Sequence, residues 1–178
     1  MIEVVRGELA GAGTPGVLRP VAAEWTAVTP AMRRLDPLLG PEILEQCQRI
    51  GELPIGTAIV TGAGAIPADL LIHVVVRSAT EPVTAGGTAR GLLNGLRRAE
   101  EWGIEAVAMP PLGTGAGNLD AEESADLMVP ILLEWMRSER PPRRVVVVVE
   151  TEYEFDAFER RIRRDDAAGP ADLPLLDP

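Results

Sequence analysis

The sequence predicts an α/β layered domain, and three observations carry that prediction. Short apolar runs alternate with helical segments along most of the chain. Two of those runs, Leu71-Ile72-His73-Val74-Val75-Val76 and the five valines from Val145 to Val149, are apolar on both faces. A strand covered by helices on two sides reads this way. The run ending at Met109 empties into a glycine-rich loop, and a helix begins near Asp120.

Taken in order, the strand runs are Ile2 to Val5, Gly16 to Val21, Ala58 to Thr61, Leu70 to Val76, Ala106 to Met109 and Val145 to Val149. Pro20 has no N–H to give to a ladder, so it argues against an interior place for the second run. Helices separate the runs. Pro41 to Arg49 opens with a proline and two early glutamates, which suit the positive end of a helix dipole. Thr84 to Trp102 stops at Gly103. Asp120 to Arg137 starts with Asp120-Ala121-Glu122-Glu123, the pattern of a capping box, and Pro130 predicts a kink within it. Tyr153 to Arg164 carries acids first and arginines last. Residues 165–178 are rich in Pro, Gly, Ala and Asp without periodicity and read as a disordered tail, leaving residues 1–164 as one domain.

Charge and composition exclude several classes. A formal net charge of −10 and the lack of a long Lys/Arg run argue against binding to a nucleic-acid backbone. Cys47 is the sole cysteine, so neither an intrachain disulfide nor a thiolate-zinc site is expected. No His/Cys/acid cluster has metal-ligand spacing, so no metal or other cofactor is expected. No secretory leader and no stretch of ~20 apolar residues is evident, which points to a cytoplasmic protein without a membrane partner. The oligomeric state is not encoded in any pattern here.

The stretch Met109-Pro110-Pro111-Leu112-Gly113-Thr114-Gly115-Ala116-Gly117 is the chemical signal. Glycines at alternate positions permit φ > 0 and close approach of the backbone to a ligand. Placed between a strand and a helix N-terminus, such a phosphate-binding loop aims several N–H groups at one anion. By itself the pattern fits an empty strand-to-helix connection better, and only the rest of the chain shifts that balance. Gly62-Ala63-Gly64 is only a fragment of a dinucleotide fingerprint, and a proline follows where that helix should run.

Three segments in order carry a resemblance. Thr61-Gly62-Ala63-Gly64-Ala65-Ile66-Pro67-Ala68, then Leu71-Ile72-His73, then Met109 to Gly117 resemble the TGGYxLPA…VIH and FPxxSTGxxGYP segments of the macro domain family. Val5-Arg6-Gly7-Glu8-Leu9 and Leu39 to Cys47 fit the same layout, so the likeness covers Ile2 to Ile162. It implies a three-layer α/β/α fold with a mixed central sheet of about six strands. It also implies a cleft for ADP-ribose or a related nucleotide, free or on a modified protein. In that pattern Leu112, Gly113, Thr114, Gly115, Ala116 and Gly117 hold the diphosphate and distal ribose, and Glu8 accepts a hydrogen bond from the adenine amino group. Glu8 reads equally as a surface acid.

Two departures bear on activity. Pro20-Val21-Ala22-Ala23 stands where family members carry Asn-Ala-Ala-Asn, and Val28-Thr29-Pro30-Ala31-Met32 stands where they carry a first glycine loop. The asparagine and acid of hydrolytic members are missing, so the resemblance implies binding without hydrolysis, with no catalytic residue assigned. One alternative is an ADP-ribosyl or O-acyl-ADP-ribose hydrolase drawing on Glu24 or Asp36. Another is a ligand-free interaction module whose cleft is filled by Trp25 or Met32. His73, inside an apolar strand, reads as a satisfied core histidine.

Overall fold

The computed structural model describes residues 1–115 and 118–168. The elements run β1 (Ile2–Arg6), β2 (Gly16–Ala22), α1 (Pro30–Ile50), β3 (Ala58–Gly62), β4 (Leu70–Arg77), α2 (Ala85–Glu101), β5 (Ala106–Met109), α3 (Ala121–Arg137), β6 (Arg144–Val149) and α4 (Glu152–Ala168). A single 3-10 turn, Leu9–Gly11, follows β1. All six expected strands form, and they make one sheet in the order β1-β6-β5-β2-β4-β3. Only β3 is antiparallel to its neighbour; the other pairs are parallel.

Alternation along each strand sorts the core into two faces. Leu18, Ile72, Val74, Val107, Val145 and Val147 pack with Leu92 and Leu96 of α2, Met128 and Leu132 of α3, and Phe158 of α4. The odd-numbered neighbours Val17 and Leu71, together with Ala108, Val146 and Val148, pack with Met32, Leu35 and Leu39 of α1. Three helices therefore cover one face and α1 the other, which gives the three layers. The Val145–Val149 run is buried on both sides as its composition requires.

The helix caps are those written in the sequence. Asp120 accepts from the Glu123 N–H and Glu123 accepts from the Asp120 N–H, both at 2.8 Å, closing the capping box of α3. Thr84 caps α2 through the Gly87 N–H at 3.1 Å. Helix α3 continues across Pro130, where a kink is expected, while α1 breaks at Gly40 (φ 78°, ψ 164°), just before Pro41. The helix expected from Pro41 is thus the second half of α1, and the first half, from Pro30, lies where the family likeness set a ligand loop. Trp135 is buried in the core, whereas Trp102 at the end of α2 is 59% exposed and packing does not explain it. Helix α4 runs past Arg164 to Ala168, with Arg161 paired to Asp126 and Asp165. Residues 169–178 of the expected tail lie outside the described residues.

The β3–β4 loop is pressed onto the break in α1. The Ala65 N–H donates to the Leu38 carbonyl at 2.6 Å, and Gly64 (φ 63°) sits so close that a Cβ there would lie 2.4 Å from the Leu39 carbonyl oxygen. Backbone cannot yield as a flexible side chain does. Gly64→Ala should therefore lower unfolding stability by about 2–4 kcal/mol, clash added to left-handed strain. Gly13→Ala, at φ 66° with open space around it, should cost only the strain. Urea denaturation of the two variants checks this; equal losses would mean that the contact with α1 carries nothing.

Candidate functional site

The cleft arises where the sheet parts. Strands β2 and β5 pair only at Gly16–Val107 and Val17–Ala108, then diverge. From β2 the chain proceeds toward β3 and β4, while from β5 it proceeds the opposite way to β6, so this is a topological switch point. Pro20 lies just beyond the last β2–β5 pair, in a central strand and not at an edge. A proline is tolerated there because the strand has no β5 ladder left to feed.

A cleft of about 190 Å³ opens at this point. Pro20, Pro110 and Pro111 line its floor, and Thr29 to Met32 at the start of α1 form one wall. Gly7 and Leu9 come from the end of β1, Val148, Glu150 and Glu154 from the β6–α4 junction, and Thr114 and Gly115 from the glycine loop. At the head of α1 Pro30 has no N–H, and those of Met32 and Arg33 go to the Thr29 side chain (3.3 Å) and carbonyl (3.0 Å). The wall is therefore a capped helix end and not a row of free donors.

Each expected ligand residue has a definite place where it is described. Leu112 is fully buried; its N–H donates to Met128 Sδ at 3.1 Å and its carbonyl accepts from Ser124 Oγ at 2.8 Å, so it anchors the loop to α3 from the core. Gly113 and Gly115 both take positive φ, 78° and 130°. Thr114 turns its hydroxyl back to the Pro111 carbonyl at 3.1 Å. The Gly113 and Gly115 carbonyls accept from Leu119 and Asn118 N–H, which closes the loop on itself. A Cβ on Gly115 would stand 3.4 Å from the Val28 carbonyl oxygen and 3.6 Å from Thr29 Cγ2, so the two loops meet there. Ala116 and Gly117 lie outside the described residues. Glu8 is exposed on the rim, flanked by the cleft-lining Gly7 and Leu9.

The acids considered for a remodelled site are otherwise engaged. Asp36 accepts from the guanidinium of Arg19 at 2.5 Å and does not line the cleft. Glu24 accepts from Thr26 Oγ1 at 3.2 Å. Trp25 (φ 68°) anchors its loop: its indole N–H donates to the Gly51 carbonyl at 2.8 Å, and its ring meets His73 edge-on at 5.7 Å. Met32, by contrast, is buried and does line the cleft. Glu154 accepts from the N–H groups of Glu150 and Thr151, both at 2.9 Å, as a capping box for α4. Glu150 is paired with Arg34. Burial pushes the Cys47 thiol up, which leaves it inert.

Sequence reasoning missed the network behind this wall. Arg19, fully buried, donates through Nε to His73 Nδ1 at 3.0 Å and through Nη1 to Asp36. Because a guanidinium only donates, Nδ1 must be the acceptor and His73 must carry its proton on Nε2. That N–H points to Thr61 Oγ1 at 2.8 Å, and the Thr61 hydroxyl passes its own hydrogen to the Gly62 carbonyl. The detectable signal was an arginine inside one apolar run and the lone histidine inside another.

Among the described residues no group of three or more His, Cys, Asp or Glu is arranged to hold a metal, and no helix is long and apolar enough to cross a membrane.

A three-layer α/β/α sheet with a glycine loop beside its switch point defines an α/β ligand-binding architecture. The macro domain profile matches residues 33–128. A protein of Enterobacter sp. (strain 638) named O-acetyl-ADP-ribose deacetylase is 33% identical over 132 residues, covering 68% of this chain and 71% of that one. An uncharacterized protein of Aeropyrum pernix is 28% identical over 187 residues, covering 99% and 95%. The macrodomain of Oceanobacillus iheyensis solved with ADP superposes at a TM-score of 0.82 with 19% identity, over 92% and 90% of the two chains. The chain belongs to the macro domain family.

The network carries a pH signature. Burial first, and the Arg19 charge second, hold the His73 pKa well below its ordinary 6.5. Below that value the unfolded chain binds a proton that the native state refuses, so stability is complete above pH 6.5 and lost as the pH falls. The loss should approach about 1.4 kcal/mol per pH unit. Since His73 is the only histidine, urea titrations from pH 7.5 to 5.5 should show this slope, and it should flatten in His73→Gln. An unchanged slope in the variant would mean that His73 is not the group refusing the proton.

Proposed function

We propose that this macro domain binds ADP-ribose, or a closely related nucleotide diphosphate, in the cytoplasm without hydrolysing it. The observation that carries the reading is the glycine loop bent at Gly113 and Gly115 through positive φ, with Thr114 and Gly115 on the wall of a cleft at the switch point. Such a loop brings backbone dipoles to an anion at short range, whereas side chains would crowd it. In this reading Gly113, Thr114, Gly115, Ala116 and Gly117 form the phosphate-binding loop, Leu112 holds it in place from the core, and Glu8 on the rim reads the adenine amino group. The solved structures of related fold that hold ADP, from Oceanobacillus iheyensis and Trypanosoma brucei, support the ligand class. At about 190 Å³ the enclosed space falls short of the ~300–1,000 Å³ usual for whole ligands, so the nucleotide extends over the rim past Glu8.

Hydrolysis needs a base within hydrogen-bond reach of the attacking water. The titratable side chains lining the described cleft are Glu150 and Glu154, and both are already bonded. Asp36 is spoken for by Arg19, and His73 is buried away from the cleft. The relatives named O-acetyl-ADP-ribose deacetylase favour a second reading, a hydrolase on the same ligand.

Titration calorimetry with ADP-ribose should give saturable heat, and Gly115→Glu should abolish it at a temperature where the variant, destabilised by its strained φ of 130°, is still folded. The absence of heat with ADP-ribose, ADP and NAD at millimolar concentration would overturn the binding reading in favour of a ligand-free interaction module. Incubation with O-acetyl-ADP-ribose should yield no turnover above the uncatalysed rate; turnover by the wild-type protein would establish the hydrolase instead.

A further inference from the structure

The charged side chains lining the described cleft are two carboxylates, Glu150 and Glu154, and no cationic side chain lines it with them. The chain as a whole is acidic, with a formal net charge of −10. An anionic ligand entering such a space meets repulsion unless a positive charge joins it. Glu154 is settled by the first turn of α4, where Thr151 and Glu150 donate to its Oε2. Glu150 has a different partner. It is bonded by the Arg34 guanidinium of α1, the helix whose first turn lines the cleft, although Arg34 itself is not a lining residue. The pair thus ties the β6–α4 junction to α1 at the edge of the cleft, through residues 116 positions apart in sequence. Both side chains are about half exposed, at 54% and 46%, and an ion pair in that setting is weak and readily exchanged.

We propose that Arg34 is the cation that meets the ligand's phosphate, and that Glu150 holds it as a latch beside the cleft until the ligand displaces the carboxylate. This deepens the binding reading above and rests on it. The exchange keeps one ion pair at every stage: Arg34 with Glu150 in the free protein, Arg34 with phosphate in the complex. A guanidinium suits both partners because its donors match the oxygens of carboxylate and phosphate alike. Glu150 then acts as a competitor built into the site. It lowers affinity for weakly anionic ligands that cannot win Arg34 away, and in that sense sets specificity.

The test is calorimetric titration of ADP-ribose into the wild type and three variants, each first checked for an unchanged unfolding midpoint. Arg34→Gln should weaken binding about tenfold, the loss of one charge-assisted contact, and Glu150→Gln should tighten it several-fold by freeing Arg34. Arg33→Gln removes the same charge one residue away and should change affinity less than twofold. Equal weakening by Arg34→Gln and Glu150→Gln would overturn the proposal, because the pair would then be a structural clasp. Equal effects of Arg33→Gln and Arg34→Gln would also overturn it, leaving only general charge. Wild-type binding that Arg34→Gln does not alter defeats the latch and spares the binding reading. Silence from both the wild type and Glu150→Gln defeats the two together.

Discussion

A fully buried guanidinium is the constraint to which this molecule is built. Arg19 sits in a central strand with no exposed surface, and taking its charge out of water costs several kcal/mol unless partners are supplied. The chain supplies a half-buried carboxylate on α1 and a neutral imidazole on the neighbouring strand. Both partners are thereby fixed. His73 is confined to one tautomer and Asp36 is bound to one direction, so the first half of α1 is tied to the sheet and not merely laid on it. The wall of the cleft, from Thr29 to Met32, is the next turn of that same helix.

The second constraint is the parting of β2 from β5. A parallel sheet that reverses its winding direction opens a crevice at the strand ends, and here the opening begins after Val17. The prolines are compatible with it, since Pro20, Pro110 and Pro111 all lie past the last β2–β5 pair, where those two strands no longer bond to each other. Into this crevice come a glycine loop from one side and a capped helix end from the other, close enough that Gly115 has no room for a large side chain. Macro domains of this chain's kind therefore need not repeat a glycine-rich first loop to keep the architecture. A proline-started helix can fill that wall if something behind it, here Arg19, holds it still.

Much of the framework was legible residue by residue. The apolar runs became strands, and Asp120-Ala121-Glu122-Glu123 became the capping box of α3, because these features depend on neighbours a few positions away. Pro20 weakens the second run as an interior strand when read alone, because local sequence does not say where the adjacent strand stops. The first half of α1 was misread as a remodelled loop. Its Thr29-Pro30 start is a good helix entry, but the expectation of a ligand loop at that place displaced the simpler reading. Arg19 passed as one polar residue in an apolar run, and nothing local pairs it with residues 54 and 17 positions away.

By itself the sequence determined the layered class, the number of strands, the capping box of α3 and the glycine loop, since each is written in short-range periodicity, composition and turn chemistry. Tertiary structure alone decided which acids were free. Asp36 and Glu150 are ordinary surface-type carboxylates in the sequence. Folding gives the first to a buried arginine of β2 and the second to an exposed arginine of α1. The physical reason is that the worth of a charge depends on its solvent and its partner, and both are set by residues far away along the chain.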